Sequence, residues 1–204
     1  MVNPELMKYT IEELAEALNA KCEERGMRKG TDKTQWRELV VADKLGHKAH
    51  DTISSGADSD EYGSDAFDSS TGRYAEYKSK AIDDKEVRNI LCEQKTKSGK
   101  RFATLTIPGV YNGAYKQSAI DAYANNDHYF SVFYKEKCVL IIQPKTTEVI
   151  RQLEENNAKR KPGKTTNLNT VTINLSDTNL YDVAYCNRDW FGDNYYNTPL
   201  YESN

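Results

Sequence analysis

Apolar residues recur at helical spacing in the N-terminal part of the chain. A first helix is predicted after Thr10, which has the spacing of a capping box with Glu13, and it ends at Gly26. Its apolar positions are Ile11, Leu14, Ala15 and Leu18. A second helix is predicted from Asp32 to Gly46, and its apolar face carries Trp36, Leu39 and Val40. The apolar faces of these two helices are predicted to contact the core or a second copy of the chain.

Segments rich in aromatic and alternating apolar residues predict strands further along the chain. Strands are predicted at Arg73–Ile82, Phe102–Ile107, Tyr129–Tyr134 and Cys138–Gln143, and in the alternating segment through Val171, Ile173 and Leu175. A hairpin turn is predicted at Lys135-Glu136-Lys137, and helices at Tyr115–Ala124 and Thr147–Glu155. This order of elements predicts an α+β protein with a mixed central β-sheet flanked by helices.

The segment from His47 to Asp68 is poor in apolar residues and acidic. Its acidic residues are Asp51, Asp58, Asp60, Glu61, Asp65 and Asp68. Glycine and serine interrupt the segment, which excludes a continuous helix or central strand. An exposed acidic loop is one interpretation, and the strand that follows suggests another.

Side chains two positions apart on a strand project from the same face. Glu76 and Lys78 therefore share a face, while Ala75 and Tyr77 are predicted to point into the core. Asp65 lies eleven positions before Glu76, and glycines near both ends of the interval allow a tight hairpin. The hairpin would bring the carboxylate of Asp65 beside that of Glu76.

Two adjacent carboxylates repel each other unless a cation lies between them. Their oxygens are ligands that suit Mg²⁺, which takes further ligands from water and substrate phosphate. A lysine beside the metal can polarise the attacking water, so the set predicts phosphodiester hydrolysis. Asp68 also precedes Glu76 within reach of a hairpin and is the alternative to Asp65.

These residues carry a resemblance to a known family. Gly63-Ser64-Asp65-Ala66-Phe67-Asp68 followed by Glu76-Tyr77-Lys78-Ser79 resembles the active-site hairpin of the PD-(D/E)XK nucleases, most closely that of the PvuII-type restriction endonucleases. The resemblance implies a restriction-endonuclease-like core. It also implies metal binding by Asp65 and Glu76 and action of Lys78 on the nucleophilic water, and we count Tyr77, the residue after Glu76, as a third metal-site residue. The histidine-rich recognition segment of that family has no counterpart in this chain.

Basic residues cluster in two segments, although the whole chain is acidic. Residues 85–101 hold six basic and two acidic residues, and residues 159–164 hold four basic residues and no acidic one. We interpret both as phosphate contacts. Thr166-Asn167-Leu168-Asn169 resembles the base-reading loop of the family, and an asparagine-rich turn is the alternative. The predicted DNA contacts are Lys97, Lys100, Arg101, Thr106, Tyr111, Asn112, Lys161, Lys164, Asn167 and Asn169.

Composition narrows the choice of function further. The net charge of −3 argues against a protein that coats DNA nonspecifically. The chain contains no run of about 18 apolar residues, so no membrane span is predicted. The four cysteines lack the spacing of a zinc site, and a cytoplasmic protein with reduced thiols is predicted. His47 and His50 are interpreted as surface residues at a helix end, and His128 as a base contact or a turn residue.

Together these features predict a Mg²⁺-dependent type II restriction enzyme that cuts double-stranded DNA to 5′-phosphate and 3′-hydroxyl ends. One active hairpin per chain predicts a homodimer. The chain is interpreted as one nuclease domain, with dimerisation helices at 1–48, a catalytic and DNA-recognition core at 49–185 and an aromatic tail at 186–204. The alternatives are a structure- or mismatch-directed nuclease of the same superfamily and a DNA-binding module without catalytic activity.

Overall fold

The structure is a computed structural model that describes residues 4–24, 35–49, 64–90, 106–160 and 168–193. Two short 3₁₀ segments, Pro4–Lys8 and Thr178–Leu180, accompany the helices and strands. The helices are α1 (Ile11–Glu24), α2 (Gln35–Leu45), α3 (Asp84–Ile90), α4 (Gln117–Tyr123), α5 (Thr146–Ala158) and α6 (Arg188–Phe191). The strands are β1 (Lys48–Ala49), β2 (Ala66–Asp68), β3 (Arg73–Ile82), β4 (Thr106–Asn112), β5 (Asp127–Tyr134), β6 (Lys137–Pro144), β7 (Leu168–Asn174) and β8 (Tyr181–Cys186).

Six of the strands form one mixed sheet in the order β1-β2-β3-β5-β6-β8. Strands β3 and β5 pair in parallel, and the other neighbours pair antiparallel. The parallel pair requires a crossover, which α3, β4 and α4 provide between the two strands. This arrangement confirms the predicted α+β class with a mixed central sheet.

Apolar residues cover both faces of the six-stranded sheet. On one face, Ala75 and Tyr77 of β3 are buried in a cluster with Trp36 and Val41 of α2, which confirms the predicted inward orientation of these two β3 residues. On the other face, Phe130 and Val132 of β5 belong to a larger cluster with residues of β4, α4, α5 and β7. Glu76 and Lys78 project toward this second face.

Strand β4 differs from the predicted strand at Phe102–Ile107. It covers Thr106–Asn112, while residues 102–105 lie outside the described part of the chain. Pro108 and Gly109 fall inside the strand, which pairs with β7 along seven residues to form a two-stranded sheet. Pro108 is tolerated there because β4 is an edge of this sheet.

The outer edge of β7 is bonded to side chains of α5. Gln152 accepts from the main-chain N–H of Thr172 at 2.9 Å and donates to its carbonyl at 3.1 Å. Asn156 donates to the carbonyl of Thr170 at 2.8 Å. Helix α5 therefore supplies the hydrogen bonds that a third strand would otherwise make.

The N-terminal helices confirm some local predictions and correct others. Thr10 accepts from the N–H of Glu13 at 3.2 Å and donates its own N–H to Glu13 at 2.8 Å, which is the predicted capping box. Gly46 follows α2 with φ of 70°, as expected of a helix C-cap glycine. Leu39 does not join the buried face of α2, since it is 46% exposed. None of the helices within the described ranges is long and apolar enough to cross a membrane.

The remaining predictions also have clear outcomes. Strands β5 and β6 form the predicted hairpin, with Tyr134 paired to Lys137 and a left-handed Lys135 in the turn. Helices α4 and α5 and strand β7 occupy the predicted segments with shifted ends. Strand β8, the two-residue strand β1 and the short helices α3 and α6 were not predicted. The acidic residues 50–63 lie outside the described part of the chain.

Candidate active site

The β2–β3 hairpin brings Asp65 to the face of β3 that carries Glu76. Ala66 pairs with Ala75 across the hairpin, and the N–H of Asp65 donates to the carbonyl of Ala75 at 2.9 Å. The N–H of Tyr77 donates to Oδ2 of Asp65 at 2.6 Å. Main-chain pairing and this side-chain hydrogen bond therefore align Asp65 with Glu76, as the eleven-residue spacing predicts.

Glu76 and Lys78 form a buried ion pair on that face. Nζ of Lys78 donates to Oε1 of Glu76, and the Glu76 residue is only 4% exposed. The second carboxylate oxygen of Glu76, Oε2, is buried and has no hydrogen-bond partner among the described residues. Buried polar atoms are normally bonded, so this oxygen marks a position that a cation or a hydrogen-bond donor would fill.

The charges of the site act strongly on one another. Burial raises the pKa of Glu76, Lys78 lowers it, and the Asp65 carboxylate raises it further, so that the net shift is upward. Burial alone would lower the pKa of Lys78, but Glu76 and Asp65 outweigh it and the net pKa is raised. The charged form of Glu76 is thus disfavoured when Lys78 is its only cationic partner, and an added cation would stabilise it.

Asp68, the alternative to Asp65, lies on the opposite face of the hairpin. It accepts hydrogen bonds from Ser70 Oγ at 2.6 Å and Thr71 Oγ1 at 2.7 Å, and these bonds lower its pKa. Its Oδ2 also lies 3.8 Å from Nε2 of His47. Asp68 therefore stabilises the turn between β2 and β3, and the geometry favours Asp65 as the partner of Glu76.

The side chain of Tyr77 is also directed away from the two carboxylates. Its hydroxyl lies 2.8 Å from Nδ1 of His47, and its ring stacks on the His47 imidazole. The Tyr77 side chain therefore points away from the carboxylates, as predicted from the alternation of β3, and only the main chain of this predicted metal-site residue lies near them. The structure also corrects the interpretation of His47 as a surface residue, because the imidazole packs against the rings of Tyr77 in β3 and Tyr129 in β5.

Two residues of β4 lie beside Lys78: Tyr111, which the sequence interpretation assigned to DNA, and Gly109, which it did not single out. The ammonium of Lys78 lies 4.9 Å from the ring centroid of Tyr111, and a β-carbon added to Gly109 would lie 3.0 Å from Cγ of Lys78. A glycine inside a strand pattern can signal such a close approach. That signal was hidden because Pro108-Gly109 is equally typical of a turn.

Glu38 of α2 is a third acidic residue whose charge acts on the site. It raises the pKa of both Glu76 and Lys78, which shows that α2 contributes to the local field. Within the described ranges no group of three or more histidine, cysteine, aspartate or glutamate residues has a geometry that could hold a metal ion. The arrangement thus offers two carboxylates on the Glu76 face rather than a complete protein cage.

The structure separates the predicted DNA contacts into three groups. Asn112 is exposed at the end of β4, and Thr106 is half-buried at its start, where its carbonyl accepts from Lys80. Tyr111 and Asn169 are buried, which corrects their assignment as DNA contacts. The remaining predicted contacts lie outside the described residues: Lys97, Lys100, Arg101, Lys161, Lys164 and Asn167.

The polar groups of the two buried residues are already used inside the protein. Nδ2 of Asn169 donates to the carbonyls of Ala114 and Leu153 at 3.1 and 3.0 Å, and its Oδ1 accepts from Asn156 at 2.9 Å. His128 is likewise fully buried, with its ring nitrogens bonded to Tyr111 and Tyr123. This corrects the interpretation of His128 as a base contact or turn residue.

Comparison with known proteins adds no family assignment. No protein-family model matches the chain. No curated protein matches it at a significant level either.

Proposed function

We propose that the protein is a Mg²⁺-dependent, site-specific endonuclease that cuts double-stranded DNA to 5′-phosphate and 3′-hydroxyl ends. The observation that carries the proposal is the buried Oε2 of Glu76, which has no hydrogen-bond partner among the described residues and shares a face with Asp65 and Lys78. A buried carboxylate oxygen left without a partner is costly. A cation bound there would remove that cost.

The donor atoms suit Mg²⁺. Carboxylate oxygens are hard ligands, and Mg²⁺ keeps several waters and uses substrate phosphate rather than a full set of protein ligands. Asp65 and Glu76 would hold the ion, which when bound stabilises negative charge on phosphate oxygens. Lys78 keeps a positive charge at the same place because Glu76 raises its pKa, so its ammonium can orient the attacking water.

We propose that DNA binds on the β4–β7 sheet, because β4 packs beside Lys78. The outward-facing residues of the sheet include Asn112 and Thr170, whose side chains can bond to base edges. Beyond the end of β4, the guanidinium of Arg160 lies 5.0 Å and the ammonium of Lys116 5.7 Å from the ring centroid of Tyr115. These cations supply positive charge for phosphates in a chain that is acidic overall.

Cutting both strands at a palindrome requires two active hairpins, and a two-fold dimer would supply them. The N-terminal segment supports this part of the proposal, because it exposes several large apolar side chains. They are Leu6, Met7, Tyr9, Leu14, Leu18 and Leu39. A mass measured in solution by light scattering would show whether the chain is a dimer.

Plasmid digestion tests the function directly. With Mg²⁺ present we expect discrete fragments whose sequenced ends share one site, and we expect EDTA to stop the reaction. Lys78→Ala should abolish cleavage while leaving DNA affinity nearly unchanged. Lys80→Ala is the matched control, because Lys80 follows on the same face but pairs with Glu86 at 2.7 Å.

Three results would count against the proposal. Cleavage at saturating EDTA would contradict the role of the metal. Cleavage restricted to junctions or mismatches would indicate a structure-directed nuclease. DNA binding without any hydrolysis, unchanged in Asp65→Ala and Glu76→Ala, would indicate a binding module.

A further inference from the structure

The ammonium of Lys78 rests on the face of a buried aromatic ring. Its Nζ lies 4.9 Å from the ring centroid of Tyr111, which is fully buried in β4. A cation placed over a tyrosine ring at this distance is attracted by the ring electrons, and the attraction is stronger where water is excluded. The side chain of Lys78 is itself 16% exposed, so most of this contact is desolvated.

The Tyr111 ring is held in place by His128 and Tyr123. Its hydroxyl lies 3.0 Å from Nδ1 of His128, and Nε2 of His128 lies 3.0 Å from the carbonyl of Tyr123. A carbonyl can only accept, so Nε2 carries the proton and Nδ1 accepts from the Tyr111 hydroxyl. The ring also packs edge-on against Tyr123, with centroids 4.9 Å apart.

Three contacts therefore limit the freedom of Lys78. Glu76 binds the ammonium, Tyr111 lies beneath it, and Gly109 lets the main chain of β4 approach the aliphatic stem. Lysine has a long, flexible side chain that loses considerable rotamer entropy when it is fixed. A lysine held in advance by the protein does not have to be ordered when substrate binds.

We propose that Tyr111 is a positioning residue that holds the Lys78 ammonium where it acts on the attacking water. The inference rests on the proposed function, since it assigns a task to the same lysine. Tyr111 itself is buried and does not contact DNA. Its effect is expected in turnover and not in DNA affinity.

Two substitutions separate the ring from the hydroxyl. Tyr111→Phe keeps the aromatic face, and we expect turnover within about threefold of the wild type. Tyr111→Leu removes the face, and we expect a loss of about tenfold or more in turnover at unchanged DNA affinity. Retained activity in the phenylalanine variant would show that the ring and not the hydroxyl is needed, and a tyrosine distant from Lys78 is needed to control for lost packing.

Tyr181→Leu controls for the loss of a buried tyrosine. Tyr181 is 1% exposed, and its hydroxyl donates to the carbonyl of Leu175, so the substitution removes a similar ring and hydrogen bond without touching Lys78. All variants should be compared at a temperature at which circular dichroism shows them folded. We expect Tyr181→Leu to lose stability and retain turnover.

Nuclear magnetic resonance of lysine labelled with ¹³C at Cε tests the contact without an activity assay. We expect the Hε signals of Lys78, assigned by their disappearance in Lys78→Met, to be shifted upfield by the ring. They should return to the range of the other lysines in Tyr111→Leu and stay shifted in Tyr111→Phe. Unshifted signals in the wild type would overturn the inference.

The activity results distinguish the two levels of the proposal. A wild-type protein that cleaves no DNA under any metal condition would overturn the proposed function and with it the task assigned to Tyr111. A wild-type protein that cleaves DNA, with equal turnover in Tyr111→Leu and Tyr181→Leu, would overturn the inference alone.

Discussion

Asp65 and Asp68 are three residues apart and lie on opposite faces of the β2–β3 hairpin. Asp65 accepts from the main chain of Tyr77 on the Glu76 face, while Asp68 is bonded to the turn and lies 3.8 Å from His47. A ligand that binds only the folded protein raises its stability in proportion to the logarithm of ligand concentration. The two aspartates therefore provide a matched pair for testing metal binding.

We expect Mg²⁺ to raise the melting temperature of the wild type in a concentration-dependent way. Asp65→Asn should remove this response, because it removes one of the two charges of the site. Asp68→Asn should lower the melting temperature by weakening the turn but keep the response to Mg²⁺. A Mg²⁺ response that survives in Asp65→Asn and disappears in Asp68→Asn would reverse the assignment.

Gly109→Ala should destabilise the protein and impair cleavage. The new β-carbon would lie 2.5 Å from Cζ of Phe130 as well as 3.0 Å from Cγ of Lys78, so β4 or the two side chains must move. Overpacking of this kind costs about 1–3 kcal/mol, which urea denaturation can measure. Val110→Ala is the control, because Val110 is the next residue but is 43% exposed, and only a small effect is expected.

We expect the free energy of unfolding to fall in mild acid because of His128. Burial, chiefly, lowers the pKa of its imidazole from 6.5 to about 4, so the unfolded chain binds more protons than the folded one between these values. The contribution is complete above pH 6.5 and is lost as the pH falls toward 4, and it amounts to about 3 kcal/mol.

Urea denaturation at several pH values checks the histidine prediction. His128→Gln offers an amide that can also donate to Tyr123 and accept from Tyr111, but it does not titrate. We expect its free energy of unfolding to depend less on pH between 4 and 6.5 than that of the wild type. Parallel curves for the two proteins would show that another group dominates this range.

Asn112→Ala and Asn169→Ala should have opposite consequences. Asn112 is exposed and belongs to the proposed DNA-binding surface, so its loss should weaken DNA binding while the free energy of unfolding stays nearly constant. Asn169→Ala would leave the buried carbonyls of Ala114 and Leu153 without this donor, which costs about 1–3 kcal/mol. Denaturation and DNA-binding titrations on both variants check the pair, and a stability loss confined to Asn112→Ala would contradict the placement of the two residues.

The local parts of the fold and site could be predicted because the determining residues are close in sequence. The Thr10–Glu13 capping box and the alternation of β3 depend on neighbours within a few positions. The hairpin that aligns Asp65 with Glu76 closes over eleven residues. In each case the pattern of side chains and the main-chain geometry lead to the same structure.

The parts that could not be predicted depend on pairing between distant segments. Strand β4 pairs with β7, which lies about sixty residues later, and only that pairing makes Pro108-Gly109 part of a strand. The burial of Asn169, in contrast, could have been predicted. Asn169 lies two and four positions before Val171 and Ile173, so the alternation of the strand places its side chain on the same inward face.

The hydrogen bonds between Gln152 and Thr172 also bear on how copies of this chain can associate. An exposed strand edge invites a strand from another molecule, which can lead to open-ended aggregation. At Thr172 both main-chain groups are occupied by the glutamine amide, so an incoming strand would first have to displace helix α5. Addition of a strand from another copy of the chain to the edge of β7 is therefore disfavoured. Gln152 thus protects this edge from polymerisation.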